Sequence, residues 1–287
     1  MPIGGQAVVE GVMLQDGPEV VLAVRTPDGS VAVEPLPTGV SFPRWEGIPF
    51  VRGPIRLAQM LSLGWSALKR SAELAHPEEA PSSRWEFLAV LGFAVVFVVG
   101  GFMLLPAFLA GLTGVGNRIL SNLVEGGIRV ALFVGYLGAI SLFPDVRRVF
   151  QYHGAEHKVV HAYEEGEASL PAARGRSPLH PRCGTSFLLL FVVVAILVFS
   201  LIPTSSVGVR LLARVALLPV VAGLTYEILR FGSRHPRAWW LKPLLAPGLL
   251  LQRLTTREPT DDQLEVALAA LRYLTDPARA RSASTTS

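Results

Sequence analysis

The longest unbroken apolar run along the chain is EFLAVLGFAVVFVVGGFMLLPAFLAGL, from Glu86 to Leu112, which carries no charge after its first residue. It exceeds the roughly 20 residues that a helix needs to cross a bilayer, so it predicts a transmembrane span. Gly100, Gly101 and Pro106 mark where that span should bend. A second span is expected over Ile128 to Phe143 (IRVALFVGYLGAISLF), opening on Arg129, whose side chain can reach back to the interface. A third runs from Ser186 to Ile202, is uncharged and closes at Pro203. A fourth, about Val209 to Phe231, carries Arg210, Arg214 and Glu227 around the apolar centre LLPVVAGL.

The remaining patterns are amphipathic. VVLAVRT and SVAVEP flank the turn residues Pro27, Asp28 and Gly29, which predicts an antiparallel hairpin over Glu19 to Pro37. From Gly53 to Leu74 the apolar residues Leu57, Met60, Leu61 and Trp65 alternate at helical spacing with Arg56, Lys69 and Arg70. That pattern fits an interfacial helix and equally a helix packed on the hairpin. His235 to Gln252, with Trp239, Trp240 and KPLLAPGLLLQ, is too short and too broken by proline to cross, and reads as interfacial or re-entrant over 238–251. Thr260 to Thr275 reads as a soluble amphipathic helix with a capping box between Thr260 and Gln263, followed by a disordered tail, RARSASTTS.

Composition agrees with this pattern. The 287-residue chain is 51% hydrophobic, which is too apolar for an ordinary soluble domain of that length. The net charge of +4 and pI near 9.6 fit basic loops facing lipid headgroups better than they fit nucleic acid, which is not expected as a partner. One cysteine, Cys183, excludes an internal disulfide framework and a CxxC zinc knuckle. The N-terminus has no basic region ahead of its apolar residues and does not read as a cleavable signal peptide.

Basic residues cluster before the first span, after the second and after the fourth. The positive-inside rule therefore places both termini in the cytoplasm of a multi-pass inner (plasma) membrane protein. Arg210 and Arg214 fall toward the outer half of the fourth span, against that rule.

The expected fold class is a mainly α membrane protein with about four transmembrane helices, a small cytoplasmic N-terminal β-hairpin, interfacial helices and a C-terminal cytoplasmic helix. Residues 1–45 form the β-rich region and 46–84 the amphipathic helix region. Helices one and two occupy 85–143, a histidine-rich loop 144–185, helices three and four 186–231, the interfacial or re-entrant segment 232–258, and the C-terminal helix and tail 259–287.

Chemistry concentrates in the loop between the second and third spans. FQYHGAEHKVVHAYEEGE places His153, His157 and His161 four residues apart, half of the six histidines in the chain. If it is helical, they share one stripe with Glu156 alongside. Imidazoles at i and i+4 present two nitrogens to one divalent ion, and HGAEH is the reverse of the HExxH pattern. His153 and His157 are then ligands, and Glu156 is a general base acting on a water whose pKa a bound metal, zinc by choice, lowers to about 7. His161, Glu164 and Glu165 extend the donor set, and HPRCGTS brings His180 and Cys183 into the same loop. The competing reading is a solvated helix face whose imidazoles pair with carboxylates. Likewise Cys183 can be a small buried residue. Glu227 can snorkel, pair with Arg230, or face the histidines from the membrane side.

GGQAVVEGVM (Gly4 to Met13), FQYHGAEHK, HPRCGTSFLL and EPTDDQLEVAL together resemble the bacterial DUF1385 family, also called YqhQ-like, over nearly the whole chain. That family is an uncharacterised group of integral membrane proteins, sometimes labelled metal-dependent enzymes. The resemblance implies that the N-terminal block matters, which adds Gln6 and Glu10 as candidate site residues. The alternative is that Gly4 and Gly5 begin a strand and Glu10 faces solvent.

Two function classes follow. The first is a metal-dependent hydrolase at the cytoplasmic membrane surface, acting on a lipid-linked or peptide substrate. The second is a non-enzymatic scaffold or transport-associated protein whose cytoplasmic face binds partners, with homo-oligomers also allowed. A transporter is disfavoured by sparse intramembrane charge and the lack of an inverted repeat.

Overall fold

The computed structural model describes residues 3–37, 45–78, 84–180, 183–202, 207–235 and 242–276. Trp239, Trp240 and the tail after 276 lie outside the described residues. The N-terminal region forms a four-stranded antiparallel meander, β1 Gly4–Val8, β2 Gly11–Asp16, β3 Glu19–Arg25 and β4 Val31–Pro35, in the order β1-β2-β3-β4. The expected hairpin is its second half. The first half escapes the pattern because GGQAVVEGVM does not alternate cleanly and its turn is Val9–Glu10, with Glu10 held at φ 52. Gly11 is required beside that turn, since a Cβ there would sit 2.1 Å from the Ala23 carbonyl oxygen.

Strand β3 is apolar without alternation because both of its faces are covered. Val12, Leu14, Val21 and Ala23 pack against α5 (Pro144–Glu164) and α10 (Asp261–Thr275). Met13, Val20, Leu22 and Val24 pack against Leu63, Ala67 and Ala75 of α1 (Arg52–Ala75). Successive side chains of a strand point to opposite faces, so one short strand serves both layers. The amphipathic helix α1 is thus packed on the sheet, yet Met60, Leu61, Trp65 and Leu68 on its other side stay exposed. Helix α10 buries Leu264, Ala267, Leu268 and Leu271 and carries the expected Thr260–Gln263 capping box.

Among the described residues, three helical segments are long and apolar enough to cross a membrane: Leu88–Leu112, Leu120–Ile140 and Leu212–Gly232. The first is continuous through α2 (Arg84–Val99), a π-helical turn over Gly100–Leu104 and α3 (Leu105–Leu112). The bend expected at the glycines and proline is therefore a π-turn. Pro106 has no N–H to offer the Phe102 carbonyl, and Arg129 Nε donates to it instead at 2.8 Å.

The second span starts earlier than its apolar pattern suggests. Helix α4 runs Arg118–Ile140, capped by Asn117, whose side chain accepts from Leu120 N at 3.0 Å. Glu125 is therefore inside the helix, ahead of the expected start at Ile128. It is tolerated there because Arg129 (2.5 Å) and Arg214 (2.8 Å) both bind it, Arg214 reaching from α8 (Val207–Arg234). The third expected span, α7 (Gly184–Ser200), is shorter than the other three. Its C-terminal end packs against the start of α4, where Asn122 donates to Ser200 O at 3.3 Å and Gly126 meets Ile196. Helix α9 (Lys242–Thr255) packs along α7, and α6 (Leu170–Arg174) is a single turn in the loop between α5 and α7.

Candidate metal centre

The stretch that carries the histidines is helical throughout α5, which emerges from the membrane end of α4 after Pro144. Its face toward the sheet and α10 buries Tyr152, Ala155, Val159 and Val160. A neighbouring face presents the histidine stripe to residues 178–180, to Cys183 at the start of α7 and to the end of α9. Among the described residues, His153, His157 and Cys183 form a group whose ligand atoms lie within 4.8 Å of one another. His153 Nε2 lies 3.2 Å from Cys183 Sγ, and the two imidazole centroids are 4.4 Å apart. Cys183 caps α7, with Thr185 O–H 3.2 Å from its sulfur.

Both imidazoles are anchored through the nitrogen that faces away from the group. His153 Nδ1 donates to Thr255 O at 2.7 Å, and His157 Nδ1 to Pro178 O at 2.5 Å. Those bonds select the tautomer that leaves each Nε2 unprotonated and aimed inward, the usual second layer of a metal-bound histidine. Burial pushes His157 down to about 3, so it is neutral at physiological pH. The Cys183 thiol is pushed up by burial. The donor set of two imidazole nitrogens and one thiolate sulfur suits zinc.

Glu156 lies beside His157. One carboxylate oxygen is 3.4 Å from His157 Nε2, and burial pushes its pKa up to about 7, opposed by His153 and reinforced by Cys183. A carboxyl with that value both gives and takes a proton near neutrality. Gly5 in β1 lies over it, and a Cβ there would be 2.8 Å from Glu156 Oε1.

The other candidates are placed around this core rather than in it. His161 and His180 form a T-shaped pair with centroids 4.5 Å apart, His161 Nε2 donating to Leu179 O and His180 facing Glu164 at 3.6 Å. Burial lowers His180 to about 4. Glu165 pairs with Arg176. Gln6 bonds Gly64 O of α1 at 3.4 Å, so it joins the sheet to α1 while its neighbour Gly5 meets Glu156. Glu10 neither faces solvent nor joins the histidines. It binds the Arg148 guanidinium through both oxygens and accepts from Tyr152 O–H, fixing the β1–β2 turn to α5. Glu227 binds Arg52 through both oxygens, at 2.7 and 2.5 Å, and is not part of the centre.

Sequence reasoning missed the two carbonyls at Thr255 and Pro178, and it had no signal for them, because any residue has a carbonyl. It also missed the clamp on the loop. Gln252 of α9 exchanges two hydrogen bonds with the His180 backbone, and buried Lys158 binds Glu258 and Arg174 O.

Comparison with known proteins agrees with the resemblance seen in the sequence. The family model described as "Protein of unknown function (DUF1385)" matches residues 48–276. The uncharacterized protein YqhQ of Bacillus subtilis (strain 168) is 38% identical over 295 residues, covering 94% of this chain and 91% of that protein. No solved structure matches. The buried histidine helix and the cysteine turn that closes on it are therefore features of a chain that belongs to the DUF1385 family.

Proposed function

We propose that the protein is a four-span protein of the bacterial inner membrane, with both termini cytoplasmic, whose centre holds a divalent ion, zinc by donor type, and hydrolyses a lipid-linked or peptide substrate at the membrane surface. The observation that carries this reading is the pair of backbone carbonyls that hold His153 and His157 with Nε2 inward beside Cys183. A histidine-rich solvated face would pair its imidazoles with surface carboxylates and would not bury them. His153, His157 and Cys183 would be the ligands, and an ion bound there would supply Lewis acidity toward a carbonyl or phosphoryl oxygen. Glu156, beside His157 Nε2, takes the proton from the attacking water and returns it to the leaving group as the scissile bond breaks. Four spans follow from counting α7 with the three longer helices, and the basic loops orient them.

Elemental analysis of the detergent-purified protein tests the proposal. About one zinc per chain is expected, lost in His153→Ala/His157→Ala and kept in Glu156→Gln. Metal-free wild-type protein after purification without chelator overturns it.

A further inference from the structure

We infer that the first half of α1, with the turn before it, is immersed in the leaflet on the sheet side of the membrane and meets lipid acyl chains along its exposed face. This inference stands apart from the metal centre. It rests on where α1 touches α8. A Cβ on Gly53 would lie 2.8 Å from Ala222 O and from Gly223 Cα, and one on Gly223 would lie 2.4 Å from Phe50 O, so the two backbones are in direct contact. Phe50 N donates to Glu227 at 3.2 Å, and Arg52 binds the same carboxylate. Gly223 is nine residues inside the end of the span Leu212–Gly232, about 14 Å at the helical rise, which is close to the middle of a bilayer core of about 30 Å. Residues 50–53 therefore sit at mid-membrane depth, deeper than an interfacial helix lying flat would reach.

From that point α1 climbs. Gly64 comes eleven residues after Gly53, about 16 Å along the helix axis. There Gln6 of β1 binds its carbonyl and the sheet begins. The chemistry along the helix follows the same depth scale. In the lower half Trp45, Ile48, Phe50, Val51, Met60 and Leu61 are exposed, Leu61 by 66%. The ionic groups at that depth are paired, Arg52 with Glu227 and Arg56 with Glu46 at 2.8 Å, and Gln59 donates to Glu46 at 2.9 Å. At the level where the sheet starts, Trp65 is exposed, as expected of an interfacial aromatic, and Lys69 lies one turn beyond. Exposed apolar side chains at the depth of a membrane span, with Arg56 beside them neutralised by Glu46, have acyl chains as their neighbours.

Spin labels on Val51→Cys, Leu61→Cys, Trp65→Cys and Lys69→Cys, in nanodiscs of phosphatidylethanolamine and phosphatidylglycerol, test this. The unsubstituted chain serves as the blank for Cys183. Collision with oxygen relative to a water-soluble nickel complex should be several-fold higher at 51 and 61 than at 69, with 65 between. Equal nickel access at 61 and 69 would show a helix lying in water. Shielding of 61 from both reagents would show a protein partner on that face. Either result overturns the inference.

Discussion

Gly154→Ala is a sharp test of how the centre is built, because two physical effects at that position have opposite signs. Gly154 lies inside α5 between His153 and Glu156, where alanine would ordinarily strengthen a helix by about 1 kcal/mol. Here a Cβ would sit 2.0 Å from Arg257 O and 3.4 Å from Pro259 Cδ. To relax the carbonyl contact to 3.4 Å, segment 255–258 must withdraw by about 1.4 Å, and it is tied to α5 by Arg257 N to Phe150 O at 2.9 Å and Thr255 O to His153 Nδ1 at 2.7 Å. Straining two bonds each worth about 1 kcal/mol, with an overpacking cost of about 1–3 kcal/mol, outweighs the helix gain. The net expectation is a loss of about 1–3 kcal/mol of stability, seen as a fall of several degrees in thermal unfolding in detergent. His153 also loses the partner that fixes its tautomer, so metal affinity should fall about 10- to 100-fold in a competition titration with a zinc indicator. Gly135→Ala in α4, where a Cβ meets nothing within 4 Å, serves as the control. A Gly154→Ala protein at least as stable as wild type, with unchanged zinc affinity, would refute the argued crossing of α5 by that segment.

Two further outcomes are expected from charges. Glu125→Ala leaves Arg129 and Arg214 facing each other without a counter-ion in the membrane, so it should cost about 3–5 kcal/mol, whereas Glu73→Ala, which breaks exposed pairs on α1, should cost about 0–1 kcal/mol; equal unfolding temperatures would contradict the buried network. The Arg70 guanidinium beside Glu34 holds that carboxyl below its ordinary range, so the pair stabilises the fold above the unfolded value of about 4.3 and loses its contribution as pH falls through the lower folded value. The stability difference between wild type and Arg70→Ala, about 0–1 kcal/mol and followed through the unfolding temperature, should be full at pH 6 and shrink below pH 4, and a difference that grows in acid would reverse the assigned sign.

Helix α5, the stripe His153–His157 with Glu156, the apolar spans and the capped helix α10 were all legible along the chain. Each is a local pattern, because helical spacing places residues on one face and apolar length alone decides whether a segment can cross a bilayer. That Cys183 rather than His161 or His180 stands beside His153 and His157 was not legible, because it depends on where the start of α7 meets α5 in space. Glu10 was a candidate through the family resemblance and Glu227 through its place in a span, but tertiary packing gave each an arginine, Arg148 and Arg52. The sequence by itself determined the amphipathic helices α1 and α10, which segments are apolar enough for a membrane, and where metal-competent donors concentrate. Only the tertiary structure decided which donors meet, what orients them and how deep α1 lies, because backbone carbonyls and close glycine contacts belong to pairs of segments far apart in the chain.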